Sequence, residues 1–151
     1  MKTELLFDLE STGLLRQGST IHCIVMRNMT NVDETEVFDH EPHRAVIQGV
    51  KALERADLLI GHNIVGYDIP LLKEQYPDFQ PKGKVLDTLV LSRLFKPTRE
   101  GGHGLESWGY RLGFLKGNYG KSDGAWEQYT PEMLQYCIND VKLNAKVYHA
   151  L

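Results

Sequence analysis

A chain of 151 residues with 42% hydrophobic and 25% charged residues can form one folded domain, 1–151, and is too short for two ordinary ones. Its formal net charge of −3 excludes bulk attraction to nucleic acid or anionic membranes, so a polyanionic ligand would need a local basic patch or bound cations. Without a membrane-length apolar run or a signal peptide at Met1–Thr3, we expect a cytoplasmic protein with no membrane partner. Cys23 and Cys137 lie in apolar settings, which favours reduced thiols over one disulfide.

The first part of the chain is predicted to form three strands. Leu5 to Glu10 reads as a short buried strand that ends in acidic residues, Ile21 to Met29 as a second strand, and Thr35 to Phe38 as an edge strand. The short connections between them imply antiparallel neighbours, because a parallel crossover needs about a dozen residues or more.

The remainder alternates helices and strands. Apolar residues from Val46 to Leu53 recur at helical spacing. Further elements are predicted in this order: a strand at Asp57 to Gly61, a helix at Ile69 to Tyr76, a strand at Val85 to Asp87, and helices at Thr88 to Phe95 and Leu105 to Leu112. The last helix starts after Thr130, with Pro131 at its first position. This order predicts an α/β fold with a mixed five-stranded sheet flanked by helices.

Acidic side chains end the first predicted strand. Asp8 and Glu10 are two residues apart, so their side chains point to the same face of the sheet. Two adjacent carboxylates repel each other unless a cation lies between them, which makes the pair a candidate metal site. A solvated strand end is the simpler interpretation of the pair alone.

Two further groups of polar residues lie after the fourth predicted strand and on the last helix. His62 and Asn63 follow the strand, where an α/β sheet opens its binding crevice, and Asp68 comes five residues after Asn63. Asp68 could equally be an N-cap of the following helix. Tyr136 and Asp140 are one helical turn apart and share a face outside the apolar stripe, where a half-exposed tyrosine beside a surface acid is the alternative.

The combination of these groups resembles the 3′–5′ exonuclease domain of the DEDD superfamily, in its tyrosine-containing branch. The sequence is especially similar to the proofreading domain of phage-type family A DNA polymerases. The three motifs correspond to Phe7–Glu10, His62–Asp68 and Tyr136–Asp140, and the segments Asp87–Leu94 and Leu105–Gly113 also look like the phage members. Four residues separate the motif's Asn from its Asp, where many relatives have three, which we interpret as a feature of the phage-type subgroup.

The resemblance implies a ribonuclease H-like fold and a site for two divalent cations, Mg²⁺ or Mn²⁺. Oxygen ligands suit these hard ions, and the absence of HxxxH and CxxC patterns argues against zinc. By resemblance, Asp8 would bridge both ions, Glu10 and Asp140 would complete one shell, and Asp68 would hold the other ion. Tyr136 would orient the attacking water. These five residues are the predicted catalytic set.

Substrate contacts are predicted at Leu14, Asn63 and His62. Leu14 matches the family position whose apolar side chain wedges beside the terminal bases, although it could also be a loop residue that covers the core. Asn63, with His62 beside it, would contact the terminal nucleotide. Basic residues outnumber acidic ones between Lys82 and Lys121, which would either guide a phosphate backbone or form an ordinary solvated surface.

The expected activity is therefore metal-dependent 3′–5′ exonucleolytic hydrolysis that releases nucleoside 5′-monophosphates. The expected nucleic-acid partner is the 3′ end of single-stranded or frayed DNA. Since the chain has no room for a polymerase module, it would be a stand-alone nuclease, a proofreading subunit that acts with a separate DNA polymerase polypeptide, or an excised domain. Two alternatives stay open: 3′-end trimming of RNA, and a catalytically silent module that binds nucleic acid or docks to a polymerase. The presence of all four carboxylates and Tyr136 argues against the silent module.

Overall fold

The computed structural model describes residues 2–12, 19–30, 34–39, 44–114 and 125–151. These residues form one mixed sheet and five α-helices, which confirms the predicted α/β architecture. The strands are β1 (Glu4–Ser11), β2 (Ile21–Asn28), β3 (Glu34–Phe38), β4 (Leu58–Gly61) and β5 (Lys84–Asp87), in the spatial order β3-β2-β1-β4-β5. The helices are α1 (Val46–Arg55), α2 (Ile69–Gln75), α3 (Thr88–Phe95), α4 (Leu105–Leu112) and α5 (Pro131–Ala150).

Strand β1 lies at the centre of the sheet. It pairs antiparallel with β2 and parallel with β4, while β3 extends the antiparallel half and β5 the parallel half. The antiparallel pairing predicted from the short connections is thus confirmed, and α1 and α2 lie in the crossovers that lead to the parallel strands. The acidic end of β1 pairs with β2, whereas β4 pairs only with Glu4 to Leu6 at the start of the strand.

The side chains of β1 alternate between two buried clusters. Leu5, Phe7 and Leu9 pack into a cluster on one face that also contains residues of α1 and α2. Leu6 packs on the opposite face, in a cluster that contains Cys137 and Val141 of α5. Because alternate residues of a strand share a face, Asp8 and Glu10 lie on the face that α5 covers.

A π-helical turn, Ile64–Asp68, connects β4 to α2 and was not predicted from the sequence. A π turn holds one residue more than an α-helical turn, so it accommodates the four-residue spacing between Asn63 and Asp68. Asn63 precedes the turn in the left-handed conformation, with φ 61°. Gly61 permits the tight exit from β4, because a Cβ atom there would collide with the side chain of Ile64.

The ends of the last two helices follow the predicted signals. Gly113 terminates α4 with φ 70°, in the left-handed region that glycine adopts without strain. Thr130 caps α5, since its side chain accepts a hydrogen bond from the backbone N–H of Met133, and Pro131 occupies the first turn. Within the described ranges, we find no helix that has both the length and the apolar content needed to cross a bilayer.

Candidate active site and metal centre

Asp8 and Glu10 lie together at the α5 side of β1. Asp8 is half-buried and Glu10 is 8% exposed, which does not fit a solvated strand end. One ligand atom from each of Asp8, Glu10 and Cys137 lies within 4.8 Å of the others. The structure thus assembles two carboxylates and a thiol in a space that one cation could share.

Cys137 lies beside the acidic pair. The sequence interpretation placed this residue only in an apolar setting. It is fully buried and unoxidised, as is Cys23, which faces Glu10 across the β1–β2 ladder. Burial raises the pKa of the Cys137 thiol well above its ordinary value, and its hydrogen bond with Cys23 and the nearby charge of Asp8 act in the same direction. Cys137 is therefore a neutral thiol beside the carboxylates. The sequence offered one signal of its position near the site, since Cys137 lies one helical turn before Asp140.

Asp68 is a buried carboxylate at the end of the π-helical turn. It is 4% exposed, and its buried Oδ2 has no hydrogen-bond partner among the described residues. Burial raises the pKa of Asp68 well above 3.8, and the negative charges of Asp8 and Asp87 raise it further, while the backbone N–H of Leu9 acts against them. The N-cap interpretation does not hold, because the side chain makes no capping hydrogen bond and its φ is −63°.

Tyr136 and Asp140 lie on α5, the helix that covers the acidic pair. Asp140 is 4% exposed, so it is not an ordinary surface acid, and it lies one turn beyond Cys137 on the same side of the helix. Tyr136 is half-buried, and the ring of Trp126 packs edge-on against it with centroids 5.9 Å apart. Nε2 of His22 donates to the Trp126 carbonyl at 2.9 Å and so holds this segment beside the tyrosine.

A second tyrosine, Tyr67, stands at the same site and was passed over in the sequence interpretation. Its hydroxyl lies 2.6 Å from Oγ of Ser11, the residue that follows the acidic pair. Burial raises the pKa of the Tyr67 phenol, the bond to Ser11 lowers it, and the charges of Asp68 and Glu10 raise it. The phenol therefore stays neutral and ties the π-helical turn to the end of β1.

The predicted substrate contacts have different surroundings. Asn63 is exposed, and its backbone N–H donates to Oδ1 of Asp87 at 2.8 Å. His62 uses both ring nitrogens within the protein: Nε2 donates to the His103 carbonyl at 2.9 Å, and Nδ1 lies 2.8 Å from Oγ1 of Thr88. Leu14 falls outside the described residues, so its predicted contact with the terminal bases stays a prediction.

Two of the predicted basic residues have a packing role. The guanidinium groups of Arg99 and Arg111 lie 4.8 and 4.9 Å from the ring centroid of Trp108. Arg99 also donates from Nε to the Ser92 carbonyl at 3.1 Å, and Arg111 donates to the Glu100 carbonyl at 2.5 Å. These side chains fix the segment between α3 and α4, which leaves them less available for a phosphate backbone; Lys116 and Lys121 lie outside the described residues.

Comparison with known proteins gives relatives by sequence, although no family model matches the chain. The DNA-directed DNA polymerase of Enterobacteria phage T3 is 30% identical over 91% of this chain and 25% of the polymerase. The corresponding enzyme of Escherichia phage T7 is 30% identical over 89% of this chain and 24% of the polymerase. The chain thus spans about a quarter of the length of these relatives.

Solved structures extend the comparison to the fold. The apo form of a nuclease matches with a TM-score of 0.74 and 21% identity, over 98% of this chain and 70% of that one. Brucella melitensis NrnC with bound Mg²⁺ matches with a TM-score of 0.74 and 20% identity, over 99% and 72%. Escherichia coli RNase D, an exoribonuclease involved in structured RNA processing, matches with a TM-score of 0.67 and 15% identity, over 97% and 39%. The chain has the ribonuclease H-like exonuclease fold.

Proposed function

We propose that this protein is a metal-dependent 3′–5′ exonuclease of the tyrosine-containing DEDD branch. It hydrolyses phosphodiester bonds at single-stranded or frayed DNA 3′ ends and releases nucleoside 5′-monophosphates. The observation that carries this proposal is the pair Asp8 and Glu10 on β1, close enough to share a cation, together with Asp68, which interacts with the charge of Asp8 and whose buried Oδ2 has no hydrogen-bond partner among the described residues. The similarity to phage DNA polymerases supports DNA as the substrate.

The residues present fit divalent cations. Asp8, Glu10, Asp68 and Asp140 supply carboxylate oxygens, the ligands that Mg²⁺ and Mn²⁺ prefer, and the repulsion that raises the pKa of Asp68 would be relieved by positive charge. All four would hold two such ions. Bound divalent cations would supply an activated water and charge stabilisation at the departing oxygen.

Other side chains would orient the reactants. The phenol of Tyr136, held by Trp126, is placed on α5 where it can hydrogen-bond the attacking water. Asn63 is exposed and directly precedes the turn that ends at Asp68, and from there its amide would contact a terminal nucleotide. Leu14 would pack against the terminal bases. His62 would act through the turn that carries Asn63 rather than by touching the substrate, because both of its ring nitrogens have partners within the protein.

The test is a product ladder from 5′-labelled oligonucleotides of matched DNA and RNA sequence, single-stranded and duplex, with Mg²⁺, Mn²⁺ or a chelator. We expect stepwise shortening from the 3′ end of single-stranded DNA, supported by either ion and abolished by the chelator. Faster shortening of RNA would favour the alternative function, RNA 3′-end trimming, which the fold similarity to RNase D motivates. A ladder that is insensitive to chelator, or no cleavage of any substrate, would contradict the proposal; the latter result would favour a silent binding or docking module.

We further propose a polymerase as the protein partner, whether on the same chain or on a separate polypeptide. Three apolar residues of α3 are unusually accessible: Val90 is 42% exposed, Leu94 69% and Phe95 64%. The matched polymerases are more than four times as long as this chain, so the rest of such an enzyme could cover this face. Size-exclusion chromatography with the polymerase of the same source should show a complex that Leu94→Glu weakens, whereas the absence of any complex would contradict this partner.

A further inference from the structure

The side-chain hydroxyl of Thr88 joins three elements of the site. Oγ1 of Thr88 lies 2.8 Å from Nδ1 of His62 and accepts a hydrogen bond from Nδ2 of Asn144, also at 2.8 Å. Thr88 is fully buried and Asn144 is 3% exposed. Since His62 precedes Asn63, and Asn144 lies one turn beyond Asp140 on α5, this hydroxyl connects the turn after β4 to the helix that carries Asp140.

The hydrogen bonds leave the hydroxyl little freedom to rotate. The carbonyl of His103 can only accept, so Nε2 of His62 donates to it, and in a neutral imidazole Nδ1 is then an acceptor. The Thr88 hydroxyl therefore donates to His62 and accepts from Asn144, while the Gly61 carbonyl at 3.3 Å is a longer alternative acceptor. A hydroxyl with both functions satisfied in a buried place fixes the distance between its partners.

Asp87, the preceding residue, fixes the backbone of the same turn. Its Oδ1 accepts hydrogen bonds from the backbone N–H groups of Asn63 at 2.8 Å and Leu89 at 2.9 Å, and its Oδ2 accepts from the N–H of Val65 at 3.0 Å. The start of α3 thus holds the π-helical turn on one side through Asp87 and α5 on the other through Thr88. Asp68 ends that turn, so the spacing between Asp68 and Asp140 depends on this junction.

We propose that Thr88 is a positioning residue for the metal site, acting through His62 and Asn144. The inference rests on the proposed function, because the groups it positions are the carboxylates assigned to the cations. Loss of the hydroxyl leaves Asn144 without its acceptor and His62 without its donor, and these buried groups then shift to find other partners. Asp68 and Asp140 move with them, and the site binds divalent cations more weakly.

The matched pair Thr88→Val and Thr88→Ser tests the inference. Valine keeps the shape of threonine and lacks the hydroxyl, whereas serine keeps the hydroxyl and lacks one methyl group. We expect Thr88→Val to raise the Mg²⁺ concentration for half-maximal activity about tenfold and to reduce the rise in Tm that Mn²⁺ produces. Thr88→Ser should stay within about twofold of the wild type in both measurements.

Asn144→Ala provides an independent measurement if Thr88→Val does not fold. It should weaken Mn²⁺ binding by a similar factor, and the double variant should be no worse than the more affected single one, because both changes break the same connection. A Thr88→Val protein with a lower metal-free Tm but a wild-type response to Mg²⁺ and Mn²⁺ would overturn the inference, since the hydroxyl would then only stabilise the fold. A wild type that is not stabilised by either ion would overturn the proposed function and the inference together.

Discussion

Two buried aspartates at the same end of the sheet, Asp87 and Asp68, differ in the hydrogen bonds that their carboxylates accept. Asp87, 6% exposed, accepts three backbone N–H bonds, from Asn63, Val65 and Leu89. Asp68, 4% exposed, has one buried oxygen with no hydrogen-bond partner among the described residues. The two are close enough for the charge of Asp87 to contribute to the raised pKa of Asp68. The difference fits the proposed roles, in which Asp87 is structural and Asp68 holds a cation.

Burial without a partner is costly for a charged group, by several kcal/mol per ion. A protein selected for stability alone would give Asp68 donors of the kind that surround Asp87, or would replace it with an apolar residue. The geometry of Asp68 therefore supports the proposal that a cation binds there. The four predictions that follow test this division between structural and cation-binding acids, from the largest expected effect to the smallest.

The largest effect is expected from removal of the acids assigned to the cations. Asp8→Ala, Asp68→Asn and Asp140→Ala should each lower kcat on 3′-labelled single-stranded DNA by about 10³-fold or more, because a loss of about 4 kcal/mol of charge stabilisation corresponds to that factor. Initial rates at saturating Mg²⁺ measure it. Wild-type rates in these variants would show that the acids have no part in the mechanism, and would contradict the proposed difference between Asp68 and Asp87.

Asp87 should show the converse behaviour. Asp87→Ala leaves three backbone N–H groups without their acceptor and should lower the free energy of unfolding by about 3 kcal/mol. Asp68→Asn, the matched control, should leave it unchanged or raise it in the presence of chelator, since it removes a buried charge. Urea unfolding followed by circular dichroism measures both. If Asp68→Asn were the more destabilised protein, the assignment of roles would have to be reversed.

Tyr136→Phe is expected to have a smaller effect than loss of a carboxylate. The ring keeps its edge contact with Trp126, and only the hydroxyl to which we assign the orientation of water is lost. We expect a decrease in kcat of about ten- to a hundredfold, with the Mg²⁺ dependence unchanged. Single-turnover rates across a Mg²⁺ titration separate these quantities. A shifted Mg²⁺ requirement would place the phenol among the groups that hold the ions.

The smallest effect is expected in the pH dependence of the Tm. Because the pKa of Asp68 is raised above 3.8 in the folded protein, the folded state holds this proton more tightly than the unfolded chain. The stabilisation is therefore fully present below pH 3.8 and is lost as pH rises through the raised value. In chelator, the Tm of the wild type relative to Asp68→Asn should fall by about 3 °C or more as pH rises from 4 to 8. A constant difference would contradict the burial of Asp68 as an acid.

Much of the fold could be predicted from local patterns in the sequence. The apolar spacing from Val46 to Leu53 predicts α1, Thr130 and Pro131 mark the start of α5, and Gly113 marks the end of α4, all as observed. The alternation in β1 also places Asp8 and Glu10 on one face. These features depend on residues that are near one another in the chain, so that periodicity and capping rules suffice to find them.

The features that the sequence did not disclose depend on contacts between distant residues. The π-helical turn is too short for its period to be recognised, although the four residues between Asn63 and Asp68 were a hint of it. Asp87 has the position of an N-cap, but its hydrogen bonds to Asn63 and Val65 arise only when α3 meets the turn after β4. The hydrogen bonds of His62 to Thr88 and to the His103 carbonyl likewise join residues that are far apart in the chain.

The most direct test of the central claim is a Mn²⁺ titration of the protein, followed by the loss of the electron paramagnetic resonance signal of free Mn²⁺. The wild type should bind two ions, Asp87→Asn should retain binding if it folds, and Asp8→Ala, which lacks one carboxylate of the acidic pair, should bind neither ion tightly. A wild type that binds no Mn²⁺, or an Asp8→Ala protein that binds it as the wild type does, would contradict the assignment of these carboxylates to a metal centre.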